Sequence, residues 1–233
     1  MTAMPGLPAL ADRTLRILVM NAKGGSGKTT LASNLAVCYA HLGVETALVD
    51  HDPQGSATFW LKARQATRPS IVGVEGFRAN EPGVTRSFLL GPALRARRVI
   101  LDTPAALSPA QIGQWLGEAD RIVIPVLPSS IDIKAATRFI GTVLIDARFR
   151  HRRVPLAVVA NRARRNTLAF DKLRRFLNSL GIPFVTTLRD TQNYVRCTET
   201  GEGIFDDHTQ RVADDREALL ELLTWLEKTP AHR

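Results

Sequence analysis

The sequence predicts an α/β fold, a three-layer sandwich built on a mostly parallel sheet of roughly seven strands. Short apolar runs alternate with longer segments of helical periodicity along the whole chain, which is the pattern of strands joined by crossover helices. The runs are apolar throughout, so helices should cover both faces of the sheet. With 233 residues and 45% hydrophobic content, the chain can bury a full core. We expect a single domain over 1–233, with a flexible segment at 1–14.

Each predicted strand is an apolar run of four to seven residues. The strands are 15–20, 45–49, 71–74, 98–101, 121–126, 154–160 and 182–187. The predicted helices are 28–42, 56–66, 86–95, 108–117, 131–147, 167–180 and 211–228. Gly43 and Gly181 follow two of these helices, and glycine readily adopts the left-handed conformation that ends a helix. Residues 191–210 should form a short helix and then a glycine-flanked turn.

Several classes of protein are disfavoured by composition. No apolar stretch approaches the roughly 18 to 20 residues that a spanning helix needs. The first fourteen residues lack a basic region that leads into an apolar one, so a secretory signal is not expected. Cys38 and Cys197 are too few for a disulfide framework and too far apart for a metal or redox pair. We therefore expect a cytoplasmic protein.

Positive charge is concentrated in one segment. The formal net charge is +9. Residues 145–196 contain twelve Arg and Lys against three acids, whereas the rest of the chain has nineteen of each. A local cationic field attracts polyanions, which favours nucleic acid as a partner. The general use of arginine, 25 Arg against 6 Lys, would not by itself confine the excess to one segment.

The first strand runs directly into the segment NAKGGSGKTT, which opens the next helix. Gly24, Gly25 and Gly27 allow successive backbone N–H groups to turn toward a phosphate, at the positive end of the helix dipole. Lys28 would reach the β and γ phosphates, and the Thr29 hydroxyl would bind Mg²⁺. This segment is therefore predicted to be a phosphate-binding P-loop.

The loop departs from the strict pattern G-x-x-x-x-G-K-[ST] at its first position, where Ala22 stands. Lys23 follows it, so two of the six lysines lie within six residues.

Acidic residues follow two other strands. Asp50 and Asp52 come after the second strand, and Asp102 ends the fourth. Because open α/β sheets bind ligands at the carboxyl ends of their strands, these acids should meet Mg²⁺ and the attacking water.

The segments KGGSGKTT, DHDPQGS and LDTP, in this order, resemble the deviant Walker A, Walker A′ and Walker B motifs of the ParA/MinD family of dimeric ATPases. The resemblance covers nearly the whole chain and is closest to short ParA-type partition and positioning ATPases. It implies a P-loop NTPase fold, ATP and Mg²⁺ as ligands, and a homodimer that encloses two ATP molecules.

The resemblance also assigns roles to residues. The catalytic residues would be Lys23, which reaches the partner's nucleotide, Lys28, and Asp52, which orients the hydrolytic water. ATP binding is assigned to Lys23, Gly24, Gly25, Ser26, Gly27, Lys28, Thr29, Thr30 and Asn161, the last at the adenine base. The metal is assigned to Thr29, Asp50 and Asp102. Two positions depart from the family: His51 replaces a small or apolar residue, and Ala105 replaces the second proline of Asp-Thr-Pro-Pro.

The basic segment resembles the ParA habit of binding DNA without sequence preference, through phosphate contacts. The candidate DNA-binding residues are Arg162, Arg164, Arg165, Arg189 and Arg196. MinD-like members instead attach to membranes through a C-terminal helix that is apolar on one face and basic on the other. The polar face of the last predicted helix has five acids against three bases. We therefore expect this helix to pack in the core, with no membrane partner.

These features favour a ParA-type ATPase that dimerises with ATP, coats the nucleoid and is released when a ParB-like or cargo-adaptor partner stimulates hydrolysis. Candidate cargoes are a plasmid, a chromosome or a protein organelle such as a carboxysome. The alternatives are a MinD-like membrane-associated regulator and, third, a P-loop metabolic ligase. The sequence has no His, Cys or carboxylate cluster that would build the ligase's acceptor site. An iron–sulfur reductase component is disfavoured because neither cysteine lies beside the nucleotide motifs.

Overall fold

The computed structural model describes residues 10, 12–80, 86–164 and 167–228. Most of the predicted flexible segment at 1–14 lies outside these residues. The described strands form one sheet of seven parallel strands, in the order β3-β2-β4-β1-β5-β6-β7. The strands are β1 Leu15–Val19, β2 Thr46–Asp50, β3 Val72–Val74, β4 Arg98–Asp102, β5 Arg121–Val126, β6 Leu156–Ala163 and β7 Phe184–Arg189.

Helices connect the strands and pack on both faces of the sheet. They are α1 Lys28–His41, α2 Ser56–Ala63, α3 Arg86–Leu94, α4 Pro109–Leu116, α5 Ser130–Ile145, α6 Ala147–Arg152, α7 Leu168–Ser179, α8 Gln192–Thr200 and α9 Ala213–Lys228. Helices α1, α2, α8 and α9 contribute to the core on one face, and α3 to α7 contribute to the core on the other. The predicted three-layer α/β sandwich is confirmed.

The central strand shows why the sequence lacks an alternating polar pattern. Successive side chains of β1 point to opposite faces, as the pleat of a strand requires. Ile17 and Val19 enter one core cluster, while Leu18 and Met20 enter the other. Both faces of the strand are covered by helices and excluded from solvent, so every position except the exposed Arg16 is apolar and buried.

Two predicted elements differ from the structure. The helix predicted at 131–147 is interrupted at Asp146, whose backbone is extended and whose carboxylate accepts hydrogen bonds from the N–H groups of Arg148 and Phe149. This side chain ends α5 and caps the N-terminus of α6. The strand predicted at 154–160 runs on to Ala163, so Asn161 lies inside β6 rather than at its end.

The segment 191–210 forms a short helix and a turn, as predicted. Helix α8 ends at Gly201, which has a φ of 67°, and the chain continues through a 3₁₀ turn at Ile204–Asp206. The two other helix-ending glycines are also left-handed, with a φ of 72° at Gly43 and 64° at Gly181.

Helix α9 packs in the core, as its acidic polar face suggested. Its buried leucines are fully excluded from solvent; they are Leu219, Leu222, Leu223 and Leu226. No helix in the part of the chain that the structure describes combines the length and the apolar character needed to span a bilayer.

A buried ion pair fixes the C-terminal end of α9 to the sheet. Arg98, at the start of β4, is fully buried and donates to both carboxylate oxygens of Glu227 at 2.9 and 2.6 Å. The Tyr39 hydroxyl of α1 donates to the same carboxylate at 2.8 Å. Because an unpaired charge is costly inside a protein, each partner depends on the other.

Replacing Glu227 with glutamine should lower the free energy of unfolding by about 3–5 kcal/mol, because the buried guanidinium of Arg98 would keep its charge without a counterion. Urea unfolding followed by circular dichroism measures this change. Glu217→Gln, at an exposed position of the same helix, is the matched control and should change the value by less than about 0.5 kcal/mol. Equal effects of the two substitutions would contradict the role of the ion pair.

Candidate nucleotide-binding site

The predicted P-loop connects β1 to α1 at the carboxyl edge of the sheet. Gly25 and Gly27 are left-handed, with φ angles of 72° and 90°. A Cβ atom at Gly27 would lie 1.9 Å from Nδ2 of Asn161, so only glycine fits there. The Asn161 amide donates to the backbone oxygen of Ser26 at 2.9 Å. Strand β6 therefore supports the loop through the side chain of Asn161.

The loop borders an open cleft of about 450 Å³. Six of its lining residues belong to the predicted ATP-binding set: Gly24, Gly25, Gly27, Lys28, Thr29 and Thr30. The other wall of the cleft was not predicted; it includes Gln54, Ser56 and Trp60 around α2, and Thr198 of α8. The contribution of α8 could not be found from sequence, because it depends on how α8 packs against α2.

Lys28 is the buried cation of this cleft. Burial lowers the pKa of its amine below the usual value, and the carboxylates of Asp102 and Asp52 partly oppose that effect. Its Nζ donates to the backbone oxygen of Lys23 at 3.3 Å. The amine is thus held over the loop, where a phosphate would meet it.

Asp50 and Asp102 lie side by side, because β2 and β4 pair in a register that aligns these two residues. Both are buried. Burial raises the pKa of Asp50, whose carboxylate accepts from the N–H groups of Thr58 and Asp52 at 2.8 and 3.1 Å. Asp50 therefore anchors the turn that follows β2 and the first turn of α2.

Asp102 differs from Asp50 because its charge has no such support. Both of its carboxylate oxygens are buried, and neither has a hydrogen-bond partner among the described residues. Burial raises its pKa to about 7; the nearby Thr29 hydroxyl opposes this rise without forming a hydrogen bond of normal geometry. A buried carboxylate without a hydrogen-bond partner is consistent with a site for a bound ion or water molecule.

The residues present fit a hydrated Mg²⁺ ion. Asp102 offers an orphaned carboxylate beside the Thr29 hydroxyl, and both ligands are hard oxygens. The described residues contain no group of three or more His, Cys, Asp or Glu that would hold a metal without help. Mg²⁺ commonly binds through one or two protein ligands together with water and substrate phosphates.

Asp52 lies in the same cleft, on the turn that Asp50 anchors. Its Oδ1 accepts a hydrogen bond from the backbone N–H of Gln54 at 3.0 Å, and the residue is only half-buried. Asp52 is therefore positioned to accept a hydrogen bond from a water molecule.

Lys23 is turned away from the cleft beside it. Its amine forms an ion pair with Asp132, and the Ser129 hydroxyl donates to the same carboxylate. Ser129 caps α5, and Asp132 lies in the first turn of that helix. Sequence reasoning missed Asp132, although the Ser-x-x-Asp spacing is a capping signal that could have drawn attention to it.

The two positions that depart from the family pattern, His51 and Ala105, both lie at the carboxyl edge of the sheet. The ring of His51 packs against Trp115 with centroids 5.5 Å apart, and it occupies the space beside Gly76. The backbone N–H of His51 donates to the backbone oxygen of Asp102 at 2.9 Å, so the two acid-bearing segments are connected. Ala105 lines the cleft opposite the P-loop, 4.0 Å from where a Cβ at Gly24 would lie.

The candidate DNA-binding arginines fall in different environments. Arg162 is exposed and lines the cleft. Arg164 is exposed and lies 3.8 Å from Asp190. Arg189 forms ion pairs with two acids of α9, Asp214 and Asp215, both at 2.9 Å, and Arg196 pairs with Asp207 at 3.2 Å. Arg165 lies outside the described residues.

The pKa of Asp102 gives the nucleotide-free protein a distinctive pH dependence. Its pKa rises from 3.8 to about 7 on folding, so between these values the unfolded chain is ionised there and the folded chain is not. Stability should therefore fall by up to about 1.4 kcal/mol per pH unit as the pH rises through this window. Asp102→Asn should remove much of this slope in urea unfolding with EDTA, whereas Asp190→Asn, an exposed control, should not. An unchanged slope in Asp102→Asn would refute the assignment.

Comparison with known proteins agrees with this geometry. The description of the matching family is CobQ/CobB/MinD/ParA nucleotide binding domain, and the match covers residues 17–204. Maintenance of carboxysome distribution protein A of Halothiobacillus neapolitanus is 30% identical over 196 residues, which cover 84% of this chain and 88% of that protein. The chromosome-partitioning ATPase Soj of Thermus thermophilus is 34% identical over 143 residues, which cover 50% of this chain and 56% of Soj.

Solved structures share the fold. The septum site-determining protein MinD of Pyrococcus horikoshii, complexed with Mg-ADP, superposes with a TM-score of 0.70 at 16% identity, covering 93% of this chain and 97% of that one. An ATP complex of McdA from Cyanothece gives 0.69 at 15% identity, with the same coverage. With its P-loop, paired acids and matching family, the chain belongs to the CobQ/CobB/MinD/ParA nucleotide-binding family and is a P-loop ATPase of the ParA/MinD type.

Proposed function

We propose that the chain is a ParA-type positioning ATPase. Two copies bind ATP with Mg²⁺ and enclose the two nucleotides between them, and the dimer binds DNA without sequence preference. A partner protein stimulates hydrolysis and so releases the dimer. The cycle places the protein on the nucleoid in the cytoplasm and moves a cargo along it.

The orientation of Lys23 carries this proposal. The cleft already has a buried lysine, Lys28, to neutralise a phosphate chain. The second lysine stands at the start of the same loop but does not line the cleft, and 38% of its side chain is exposed. A cation in this position is available to a nucleotide bound by another copy.

Exposed apolar side chains near the cleft support a second copy as the partner. Phe59 of α2 is 73% exposed and Ile131 of α5 is 74% exposed. Both helices start at the carboxyl edge of the sheet, where the P-loop lies. Large apolar residues at one edge favour a protein–protein interface there.

The residues of the cleft supply what hydrolysis of a phosphoanhydride requires. The P-loop N–H groups and Lys28 neutralise phosphate charge, and Asp52 orients the attacking water. Thr29 and Asp102 would hold Mg²⁺, whose charge stabilises the transferring phosphoryl group when it is bound. A lysine from the second copy, Lys23, completes the charge balance, which makes hydrolysis depend on dimerisation.

The proposed DNA surface uses part of the basic segment. Arg164 has an 80% exposed side chain, and its ion pair with Asp190 is long at 3.8 Å. Exposed ion pairs of this kind are weak and exchange readily for phosphate. Arg165 stays in the proposal, whereas Arg189 and Arg196 would first have to leave their carboxylate partners.

The similarity to a carboxysome distribution protein over most of both chains favours a protein organelle as cargo. The stimulating partner would then be an adaptor on that organelle, in the role that a ParB-like protein has for a plasmid or a chromosome.

DNA binding should require ATP and weaken steeply with salt. We expect retention of a non-specific duplex with ATP, and little or none with ADP or without nucleotide. The logarithm of affinity should fall linearly with the logarithm of salt concentration, by roughly 0.9 for each phosphate contact. Fluorescence anisotropy with labelled duplex at several salt concentrations measures this. The control Lys28→Ala should not bind with ATP, and equal binding with all nucleotides would refute the proposal.

The ion pair with Asp132 should oppose dimerisation, because Lys23 must leave it to reach a second copy. Asp132→Asn should therefore raise the ATP-dependent association constant by roughly two- to fivefold for each protomer, the worth of a partly exposed ion pair. Sedimentation velocity with ATP measures the dimer fraction. Asp171→Asn, a first-turn acid of another helix, should leave it unchanged, and Lys23→Ala should abolish it. A lower dimer fraction in Asp132→Asn would contradict the proposed release of Lys23.

A further inference from the structure

The backbone of β6 is distorted at Arg162. Its φ is 47°, a left-handed conformation that costs an L-residue of order 1–3 kcal/mol. The register of β6 against β7 shifts between Ala160 and Ala163, so Arg162 lies within an irregular part of the strand. Such bulges redirect a side chain, and they concentrate next to active sites.

The distortion is tied to the P-loop by two hydrogen bonds. The N–H of Arg162 donates to Oδ1 of Asn161 at 3.0 Å, and Nδ2 of Asn161 donates to the backbone oxygen of Ser26 at 2.9 Å. Asn161 is only 4% exposed. The left-handed backbone at Arg162 is therefore hydrogen-bonded to the residue that supports the phosphate loop.

Arg162 lines the nucleotide cleft. Lys28 and Thr29 line the same cleft. Among the described lining residues, Lys28 and Arg162 are the two that carry a positive charge. Within the described part of the chain, its guanidinium forms no ion pair or side-chain hydrogen bond. Its neighbours in the basic segment differ, because Arg164, Arg189 and Arg196 each face a carboxylate.

We propose that Arg162 binds the phosphate chain of the nucleotide rather than DNA. A guanidinium donates paired, charge-assisted hydrogen bonds to phosphate oxygens, and these are among the strongest hydrogen bonds in proteins. The strained backbone aims this cation at the ligand that the adjacent loop holds. The proposal rests on nucleotide binding by the cleft and is independent of dimerisation and of the DNA surface.

The test compares Arg162→Gln, Arg162→Lys and Arg164→Gln as separate variants. Binding of ATP and of ADP is measured by isothermal titration calorimetry, with the melting temperature of each nucleotide-free variant as a folding check. Arg162→Gln should weaken both nucleotides roughly tenfold or more. Arg162→Lys should recover part of this loss, because it keeps the charge. Arg164→Gln should bind both nucleotides like the parent chain.

DNA binding at saturating ATP separates the two assignments. Arg162→Gln should then retain the duplex as well as the parent chain does. Unchanged nucleotide affinity in Arg162→Gln, or no recovery in Arg162→Lys, would overturn the phosphate contact. If Arg162→Gln no longer bound DNA at saturating ATP, Arg162 would instead be a DNA-binding residue. If the parent chain binds ATP but never DNA, the positioning function fails and this inference stands.

Discussion

The nucleotide site depends on one close approach, between the P-loop and Asn161 of β6. The Asn161 side chain occupies the space that a Cβ at Gly27 would need, and its amide donates a hydrogen bond to the backbone oxygen of Ser26. This contact joins residues 135 positions apart. It fixes the direction of the loop N–H groups, since a loop of left-handed glycines has little conformational preference of its own. The phosphate site is therefore built by tertiary packing as much as by the motif.

Burial makes the cleft unfavourable for the charged forms of its own ionisable side chains. Burial raises the pKa of Asp102 and lowers that of Lys28, so both effects disfavour the charged forms that catalysis uses. A triphosphate and a divalent cation would reverse these penalties, because each brings the opposite charge to one of these residues. The burial of Asp102 lowers the stability of the nucleotide-free protein. Binding of the metal and nucleotide would relieve this cost, which would increase their affinity. This is the usual cost of a preorganised site.

The sequence was sufficient for the fold and for the parts of the site that lie on local motifs. All seven strands and the positions of Lys28, Asp50 and Asp102 at the carboxyl edge follow from apolar runs and strand ends. The helix break at Asp146 was missed because a capping aspartate competes with a continuous apolar pattern. Asp132 and the α8 wall were missed because they reach the site only through packing of elements distant in the chain.

Contacts between elements distant in the chain also explain why the basic segment does not form one surface. The basic residues of α6 precede β6, and Arg164 follows it. The eight residues of β6 therefore separate these two groups of positive charge along the sheet. Arg189 is balanced by carboxylates of α9, although these lie 25 and 26 positions away. Net charge along a sequence therefore overstates the field at any one face. The arginines that are available to a polyanion are therefore those whose carboxylate partners are exposed or distant. Arg162 lines the nucleotide cleft, where we infer that it contacts phosphate rather than DNA.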